Sequence, residues 1–353
     1  MNCRGISSVI SAALLVTLFS LVYVSFLTYG VPGYCKEAES RMIDYFIEDM
    51  INLAAEGKNV IATGRAAGAK VSDRYSYPTI PLFITPRAAM VSSTTYDITV
   101  TISNIKSPEI AIPNSITLKG KGVLSTLNLV YTSPVSIYIE AGIVAGEKIH
   151  LDGFILSGSE IQIPLFSGGA LSRQLSPLSA GGSGILIQNN AAGNITVQII
   201  GTKIPRDAWV SFSRNTGLRV DYSSNSVTIH IPPGTYVLRA GLAAFITRSS
   251  HLPPAYLYSR TPLAQTSPGT ISVNVLDEFF NPTIGAVNLS CAQPCTIQYI
   301  QNNQLVTVQN SATLPPGRTA SATVTINPGV VTVISSVNRP VGGPYQLAYL
   351  ISR

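Results

Sequence analysis

Cys291 and Cys295 are the residues whose type and spacing point most directly to covalent chemistry. They form the stretch C-A-Q-P-C, and the turn-forming Pro294 between them would bring the two thiols within bonding distance. In an oxidising compartment this spacing favours a local disulfide over two free thiols. A metal site would need further ligands, and the histidines are far from this pair and from one another in the chain: His150, His230 and His251. We therefore expect no metal site.

Two further positions could carry a covalent modification. Asn194-Ile195-Thr196 and Asn288-Leu289-Ser290 both match the N-x-S/T pattern of N-glycosylation acceptors. The pattern is short, and the alternative for either asparagine is an ordinary polar residue of a turn or strand. Asn194 and Asn288 are thus candidate acceptors if this part of the chain lies outside the cell.

The sequence carries no recognised catalytic motif. It contains no G-x-S-x-G elbow, H-E-x-x-H pair, Walker loop or dinucleotide fingerprint. His150 has Asp152 two residues away but neither a third ligand nor a nucleophile near it, and Asp277 is typical of a turn residue. We expect no catalytic residues and no cofactor. The alternative is an anchored, carbohydrate-active hydrolase whose site assembles from scattered Asp and Glu residues, although only 17 such residues are present.

The composition favours a surface or secreted β-protein. Of 353 residues, 46% are hydrophobic and only 11% are charged, which is too apolar for a disordered chain. The net charge of +6 is spread thinly, without the basic stripe and interleaved aromatic residues that nucleic-acid binding requires. Nucleic acid is therefore not an expected partner.

Residues 6–29 form an uncharged, apolar segment, and the location of the following domains depends on what this segment does. As a helix it would extend about 36 Å, enough to cross a hydrocarbon core of about 30 Å. It is long for an ordinary signal peptide, although cleavage after Gly30 is a second reading. Arg4 precedes the segment, whereas Lys36 and two glutamates follow it, so the positive-inside bias places the N-terminus in the cytoplasm. We expect a single-pass membrane protein, with the bilayer contacting residues 6–29.

The junction in front of this segment is Arg4-Gly5-Ile6-Ser7-Ser8-Val9-Ile10. It resembles the class III signal of type IV pilins and archaellins, especially the archaeal pilin-like group. The resemblance implies a leader at residues 1–5, a prepilin-type peptidase that cuts between Gly5 and Ile6, and other pilin-like subunits as partners. The fifth mature position, where bacterial pilins usually carry Glu, holds Ile10. A plain signal anchor is the alternative, and the sequence leaves open whether the protein enters a filament.

A second helix is expected over residues 34–58. Apolar residues recur there at intervals of three and four, as in an amphipathic helix: Met42, Ile43, Phe46, Ile47, Met50, Leu53 and Ala54. Gly30, Pro32 and Gly33 are expected to end the first helix, and Gly57 is expected to cap the second.

Beyond residue 75 the apolar period becomes two, which is typical of strands with one buried face. The clearest stretches are Tyr96–Ile102, Val135–Ile139, Ile195–Ile199 and Val227–Ile231. The pattern predicts a mainly β protein, with an antiparallel β-sandwich domain over residues 75–250. Residues 251–269 hold four prolines and no alternating stretch, which predicts a linker.

The C-terminal residues 270–353 include Val275-Leu276-Asp277, followed by Asn281-Pro282-Thr283-Ile284-Gly285-Ala286-Val287. This pattern resembles the Ig-like modules of invasin-type adhesins and of many archaeal surface proteins. The resemblance implies an Ig-like β-sandwich that serves as a spacer, a stalk or a surface for binding proteins or glycans. Together these features predict a non-enzymatic, anchored surface protein acting in surface structure, adhesion or pilus assembly.

Overall fold

The computed structural model of the protein describes residues 4–69, 71–79, 88–153, 155–168, 175–178, 184–190, 193–245, 251–326, 329–339 and 343–353, with side chains from residue 10 onward. The chain divides into two compact units. The first unit comprises Met1–Asp49, Ser72–Ser92 and Ser125–Ser136, and the second comprises Met50–Val71, Ser93–Leu124 and Ile137–Arg353.

The N-terminal helix does not end at its glycines and proline. Helix α1 (Arg4–Ser25) continues through one π-helical turn (Phe26–Gly30) into α2 (Val31–Thr63). In the π turn the Val31 N–H donates to the Phe26 carbonyl, one residue further back than in an α-helix. Pro32 has no N–H to donate, and a local wider turn accommodates such a gap without breaking the helix. The predicted break at Gly30, Pro32 and Gly33 was therefore wrong.

Helix α2 buries the predicted apolar stripe but runs past its predicted end at residue 58. Gly57 lies inside the helix, where a Cβ would approach the Phe166 ring to 3.2 Å, so its lack of a side chain serves packing. The helix ends instead at Gly64, whose φ of 64° is left-handed and whose N–H donates to the Val60 carbonyl at 2.9 Å.

The rest of the described chain is mostly β. The first group of strands is β1 (Arg74–Ser76), β2 (Ala88–Ser103), β3 (Ile105–Lys106), β4 (Ser115–Asn128), β5 (Val135–Glu140), β6 (Ile143–Ala145), β7 (His150–Asp152), β8 (Leu156–Ser157), β9 (Glu160–Ser167), β10 (Ser176–Pro177), β11 (Ile185–Asn189), β12 (Ile195–Ile200), β13 (Arg219–Ser223), β14 (Ser226–Ile231) and β15 (Thr235–Ala244). Among the described residues these form a 15-stranded sheet with the main order β13-β14-β12-β2-β4-β9-β15-β11-β3.

The period-two stretches became strands with one buried face. Ile195, Val197 and Ile199 of β12 are buried and lie opposite β14 on one side and β2 on the other. Most pairs are antiparallel, as expected, but β9 and β15 pair in parallel over eight residues. A long connection between two strands allows a parallel pair.

The sequence pattern missed one helix, α3 (Arg206–Thr216). Its buried residues are Ala208, Trp209 and Phe212, and the Trp209 indole N–H donates to the Thr202 hydroxyl at 3.4 Å. The helix has only eleven residues, three of them buried, and so short a stretch does not show a clear helical period in the sequence.

The remaining strands form two five-stranded sheets that make a sandwich. They are β16 (Tyr256–Ser259), β17 (Ala264–Thr266), β18 (Gly269–Leu276), β19 (Gly285–Cys291), β20 (Cys295–Gln301), β21 (Gln304–Gln309), β22 (Ser311–Gly317), β23 (Thr319–Ile326), β24 (Val330–Val337) and β25 (Tyr345–Ser352). One sheet has the order β16-β18-β23-β20-β21 and the other β17-β25-β24-β19-β22.

The sequence predicts a linker over residues 251–269, but this segment contains more than a linker. Its prolines flank two short strands, β16 and β17, which occupy sheet edges and so need fewer backbone donors. Across this segment the second unit shares one continuous core, and the Asn281 side-chain amide donates to the Ala240 carbonyl at 2.9 Å.

Glu140 at the end of β5 is a buried carboxyl group in the core of the second unit. One of its oxygens accepts hydrogen bonds from the Tyr96 hydroxyl and from the Lys203 N–H, the latter at 2.7 Å. Burial outweighs these donors and raises the pKa of Glu140 above its ordinary value of 4.5. The folded state therefore favours the protonated acid.

We expect Glu140→Gln to be at least as stable as the parent at pH 8, because the amide reproduces the shape of the protonated acid without a charge to bury. Since the folded pKa is raised, the parent loses stability as pH rises from about 4.5 through the folded pKa, whereas the variant does not. Thermal unfolding of the full chain in detergent across pH measures this. Glu147→Gln, at an exposed position, is the matched control, and a variant much less stable than the parent at pH 8 would contradict the assignment.

Candidate functional site

The first candidate site is the exposed apolar surface of α1 and the π turn. Between residues 10 and 29 all large apolar side chains are exposed: Ile10, Leu14, Leu15, Val16, Leu18, Phe19, Leu21, Val22, Tyr23, Val24, Phe26, Leu27 and Tyr29. An 18-residue stretch of this helix has a mean hydropathy of 2.3 and no buried residue, and the helix is long enough to cross a membrane. A water-soluble protein rarely leaves such a surface uncovered. The structure thus supports a single-pass membrane protein.

Two threonine hydroxyls of this helix are hydrogen-bonded within it. The Thr17 hydroxyl donates to the Ala13 carbonyl at 2.8 Å, and the Thr28 hydroxyl donates to the Val24 carbonyl at 2.7 Å. Hydrocarbon offers no partners to a hydroxyl, so bonding back to the preceding turn lets threonine lie in a spanning helix.

The environment of the helix changes at Val31. Val31 is 7% exposed, and Cys35, Met42 and Phe46 are also buried, one helical turn after another. The Phe46 ring packs edge-on against Tyr75 with ring centroids 6.5 Å apart. One continuous helix therefore presents an uncovered apolar surface before residue 31 and a packed stripe after it.

Glu39 is the polar centre of the first unit. Its side chain lies on the buried stripe of α2, between Cys35 and Met42, and is itself fully buried. The carboxylate accepts hydrogen bonds from the Tyr77 hydroxyl, the Val130 N–H (2.8 Å), the Tyr131 N–H (2.9 Å) and the Thr132 hydroxyl (2.8 Å). These hydrogen bonds hold the loop after β4 and the segment after β1 against α2.

These donors set the charge state of Glu39. Burial is the largest single effect and raises the pKa, but the bonds from Tyr77, Tyr131, Thr132 and Val130 together lower it further. The pKa of Glu39 therefore lies below its ordinary value of 4.5, and the group is a carboxylate at neutral pH. Sequence reasoning missed this residue, although a Glu on the apolar stripe of a helix was a visible signal.

Asp49 repeats the arrangement two to three turns further along α2. It accepts hydrogen bonds from the Tyr75 hydroxyl at 2.7 Å and from the Ser72 N–H at 3.1 Å. Burial, with the neighbouring Asp49, raises the pKa of Tyr75, so the phenol remains a donor. Two carboxylates of one helix thus hold β1 and the residues on either side of it.

A groove of about 420 Å³ opens on α2 beside this contact. Its walls include Tyr34, Arg41, Tyr45 and Tyr75, and Tyr34 and Tyr45 are each more than half exposed. Arg41 pairs with Glu37 at 2.7 Å, so the charges at the groove neutralise each other. Tyrosine and arginine are enriched at protein interfaces, so the lining of this groove is more typical of a binding surface than of a catalytic site.

The residues predicted from sequence are dispersed. Gly5 and Ile6 belong to the first turns of α1. Cys291 and Cys295 are joined by a disulfide at the turn between β19 and β20, with Cα atoms 6.3 Å apart. Asn194 is exposed just before β12, whereas Asn288 is half-buried in β19, and its side-chain oxygen accepts from the Thr313 hydroxyl at 2.9 Å.

His150 and Asp277, two polar residues that were weighed for catalysis, make local hydrogen bonds. A His150 ring nitrogen pairs with the Gly153 carbonyl at 2.8 Å, and Asp277 accepts from the Phe279 and Asn281 N–H groups at 2.8 and 3.0 Å, which is a turn geometry. Within the part of the chain that the structure describes, no three His, Cys, Asp or Glu residues group as metal ligands would.

Comparison with known proteins adds little. No family model matches the chain, and no curated protein matches it. One similar solved structure is described as "Crystal structure of DIP-gamma IG1+IG2"; the alignment covers 46% of this chain and 89% of that chain at 11% identity, with a TM-score of 0.18. A similarity this weak carries no argument about fold or function.

We expect Glu39→Gln to lower the free energy of unfolding of the first unit by about 1.5–3 kcal/mol, because an amide presents its own donors to groups that need an acceptor. Hydrogen exchange of residues 125–136 in the detergent-solubilised full chain measures this as faster exchange at Val130 and Tyr131. The matched control is Glu37→Gln, whose exposed ion pair contributes little.

The same experiment has a defined pH dependence. Because the folded pKa of Glu39 is depressed, its stabilisation is complete above about pH 4.5 and is lost as pH falls through the folded pKa. The difference between parent and Glu39→Gln should therefore shrink on acidification below pH 4.5. Equal exchange in both proteins at pH 7 would rule out the proposed role of Glu39.

Proposed function

We propose that this chain is a non-enzymatic surface protein of pilin-like design, anchored by α1 with its N-terminus in the cytoplasm and its β-strands outside the cell. The observation that carries the proposal is the uncovered apolar surface of α1, which is continuous with a helix buried in a folded unit. The bilayer contacts residues 6–29, and the leader 1–5 is removed by a prepilin-type peptidase.

The order of the parts supports this processing. Arg4 and Gly5 stand directly before the apolar segment, whereas an ordinary secretory signal is cut behind it. Cleavage at Gly5–Ile6 would leave the whole exposed surface of residues 10–29 in the mature protein. Such a helix can serve both as a membrane anchor and as a contact between pilin-like subunits.

The β region supports a role in contact rather than turnover. The C-terminal sandwich has the Ig-like sequence pattern, and its buried Asp277 is used to hold a turn. We assign it the part of a spacer or of a surface that binds glycans or proteins, in an archaeal cell envelope.

N-terminal sequencing of the mature membrane form tests the processing. We expect the chain to start at Ile6, a Gly5→Val variant to retain Met1, and a Gly30→Val control to start at Ile6 like the parent. A parent that starts at Val31 would show an ordinary secretory signal, and one that starts at Met1 would show an unprocessed anchor; either result contradicts the pilin-like design.

The non-enzymatic assignment has its own test. The purified full chain in detergent is expected to leave a panel of polysaccharides and peptides intact, as judged by chromatography of the products. Sustained turnover that copurifies with the chain would favour the anchored hydrolase instead. Activity of a mock preparation from cells lacking the chain gives the background.

A further inference from the structure

The C-terminal sandwich has four outer strands, and three of them carry features that discourage pairing with another strand. Strand β16 has four residues and is followed by Arg260, and β17 has three residues, with Pro268 two residues after its end. Strand β22 contains Pro315 and Pro316. Shortness, charge and proline are the usual means by which proteins block sheet edges.

The fourth outer strand, β21, has none of these features. It runs from Gln304 to Gln309 without proline or charge, and its register with β20 is regular over all six residues. The surrounding sequence from Phe279 to Gly317 contains no Asp, Glu, Lys or Arg. No side-chain charge of these strands therefore opposes the approach of another strand.

The geometry of the β20–β21 hairpin leaves backbone groups pointing outward. Asn302 and Asn303, with φ of 51° and 59°, form a two-residue turn closed by the pair Gln301 and Gln304. The residues that close such a turn exchange their backbone hydrogen bonds, and the pattern then alternates along the strand. Leu305, Thr307 and Gln309 consequently direct their N–H and carbonyl groups away from β20.

The side chains at this edge are also incompletely covered. Ile300 and Leu305 lie opposite each other on the outer face and are 68% and 67% exposed. On the inner face Val306 and Val308 remain half-buried, whereas their partners Tyr299 and Ile297 are buried. A further strand beside β21 would cover the two valines.

We propose that β21 pairs antiparallel with β21 of a second copy of this chain, about a two-fold axis at Thr307. In an antiparallel pair of identical strands, two residues that lie opposite each other must project their side chains to the same face of the joined sheet. The stretch Val306-Thr307-Val308 is symmetric about its centre, so Thr307 faces Thr307 and each Val306 faces Val308.

This register matches the free backbone groups. With Thr307 at the axis, Leu305 faces Gln309 of the second copy, and all three outward-directed residues meet one another. The two inner valines then extend the buried layer of both sandwiches. A charged peptide from another protein would find no complementary charge here, whereas a second copy matches the strand in symmetry and in polarity.

Sedimentation of the full chain in detergent tests the pairing. The parent is expected to form a dimer, and Thr307→Lys, which places two like charges opposite each other across the interface, is expected to raise the dissociation constant about tenfold or more. The control is Thr266→Lys, the same change at an exposed residue of the short edge strand β17, which should leave the dimer intact. A parent that remains monomeric, or a Thr307→Lys variant as dimeric as the parent, overturns the proposal.

Cross-linking gives a second readout that does not depend on weakening the fold. In a chain carrying Cys3→Ser, a Thr307→Cys variant is expected to form a disulfide-linked dimer on mild oxidation, since facing residues of a hydrogen-bonded pair have Cα atoms about 5.5 Å apart. Thr266→Cys in the same background should form no disulfide-linked dimer. Cross-linking of Thr307→Cys only to a protein of another mass would assign the edge to a different partner and exclude the two-fold pair.

Discussion

A single continuous helix has to satisfy two different environments, and the rest of the structure depends on how it does so. Before residue 31 its apolar side chains are uncovered, and after it they are packed inside a folded unit. A break in the helix would uncouple the two parts, but the π turn at Phe26–Gly30 absorbs Pro32 and keeps the backbone helical.

Each unit contains a buried glutamate, and the two differ in charge state. Glu39 is surrounded by four donors and stays charged, so its pKa lies below the ordinary value. For Glu140 the cost of burial outweighs the hydrogen bonds that it accepts, so its pKa is raised and the acid form is favoured. The balance between the cost of burial and the supply of donors decides the charge state in each case. Among the described residues of this sparsely charged chain, the carboxyl groups of Glu39, Glu140 and Asp277 are all buried.

The scarcity of charge also shapes the outside of the C-terminal sandwich. A β protein must prevent its edges from pairing, and charged residues are the common means. Here the shortness of β16 and β17 and the prolines of β22 do this instead, and β21 is left open. The low charge of this sandwich therefore leaves β21 without the side-chain charge that protects many other sheet edges.

The sequence by itself determined the classes of element, because periodicity and hydropathy are local: the apolar helix at residues 6–29, the stripe of α2 and the strands with alternate buried residues could all be predicted. It did not determine where helices end, since the choice between Gly57 and Gly64 depends on the Phe166 ring that packs against one of them. The sequence also places Glu39, unlike the exposed Glu37, on the apolar stripe of α2, but only the tertiary structure brings the N–H groups of residues 130 and 131 to its carboxylate. Donors that are about ninety residues away in the chain leave no local pattern, and folding alone decided that this glutamate would be a structural centre.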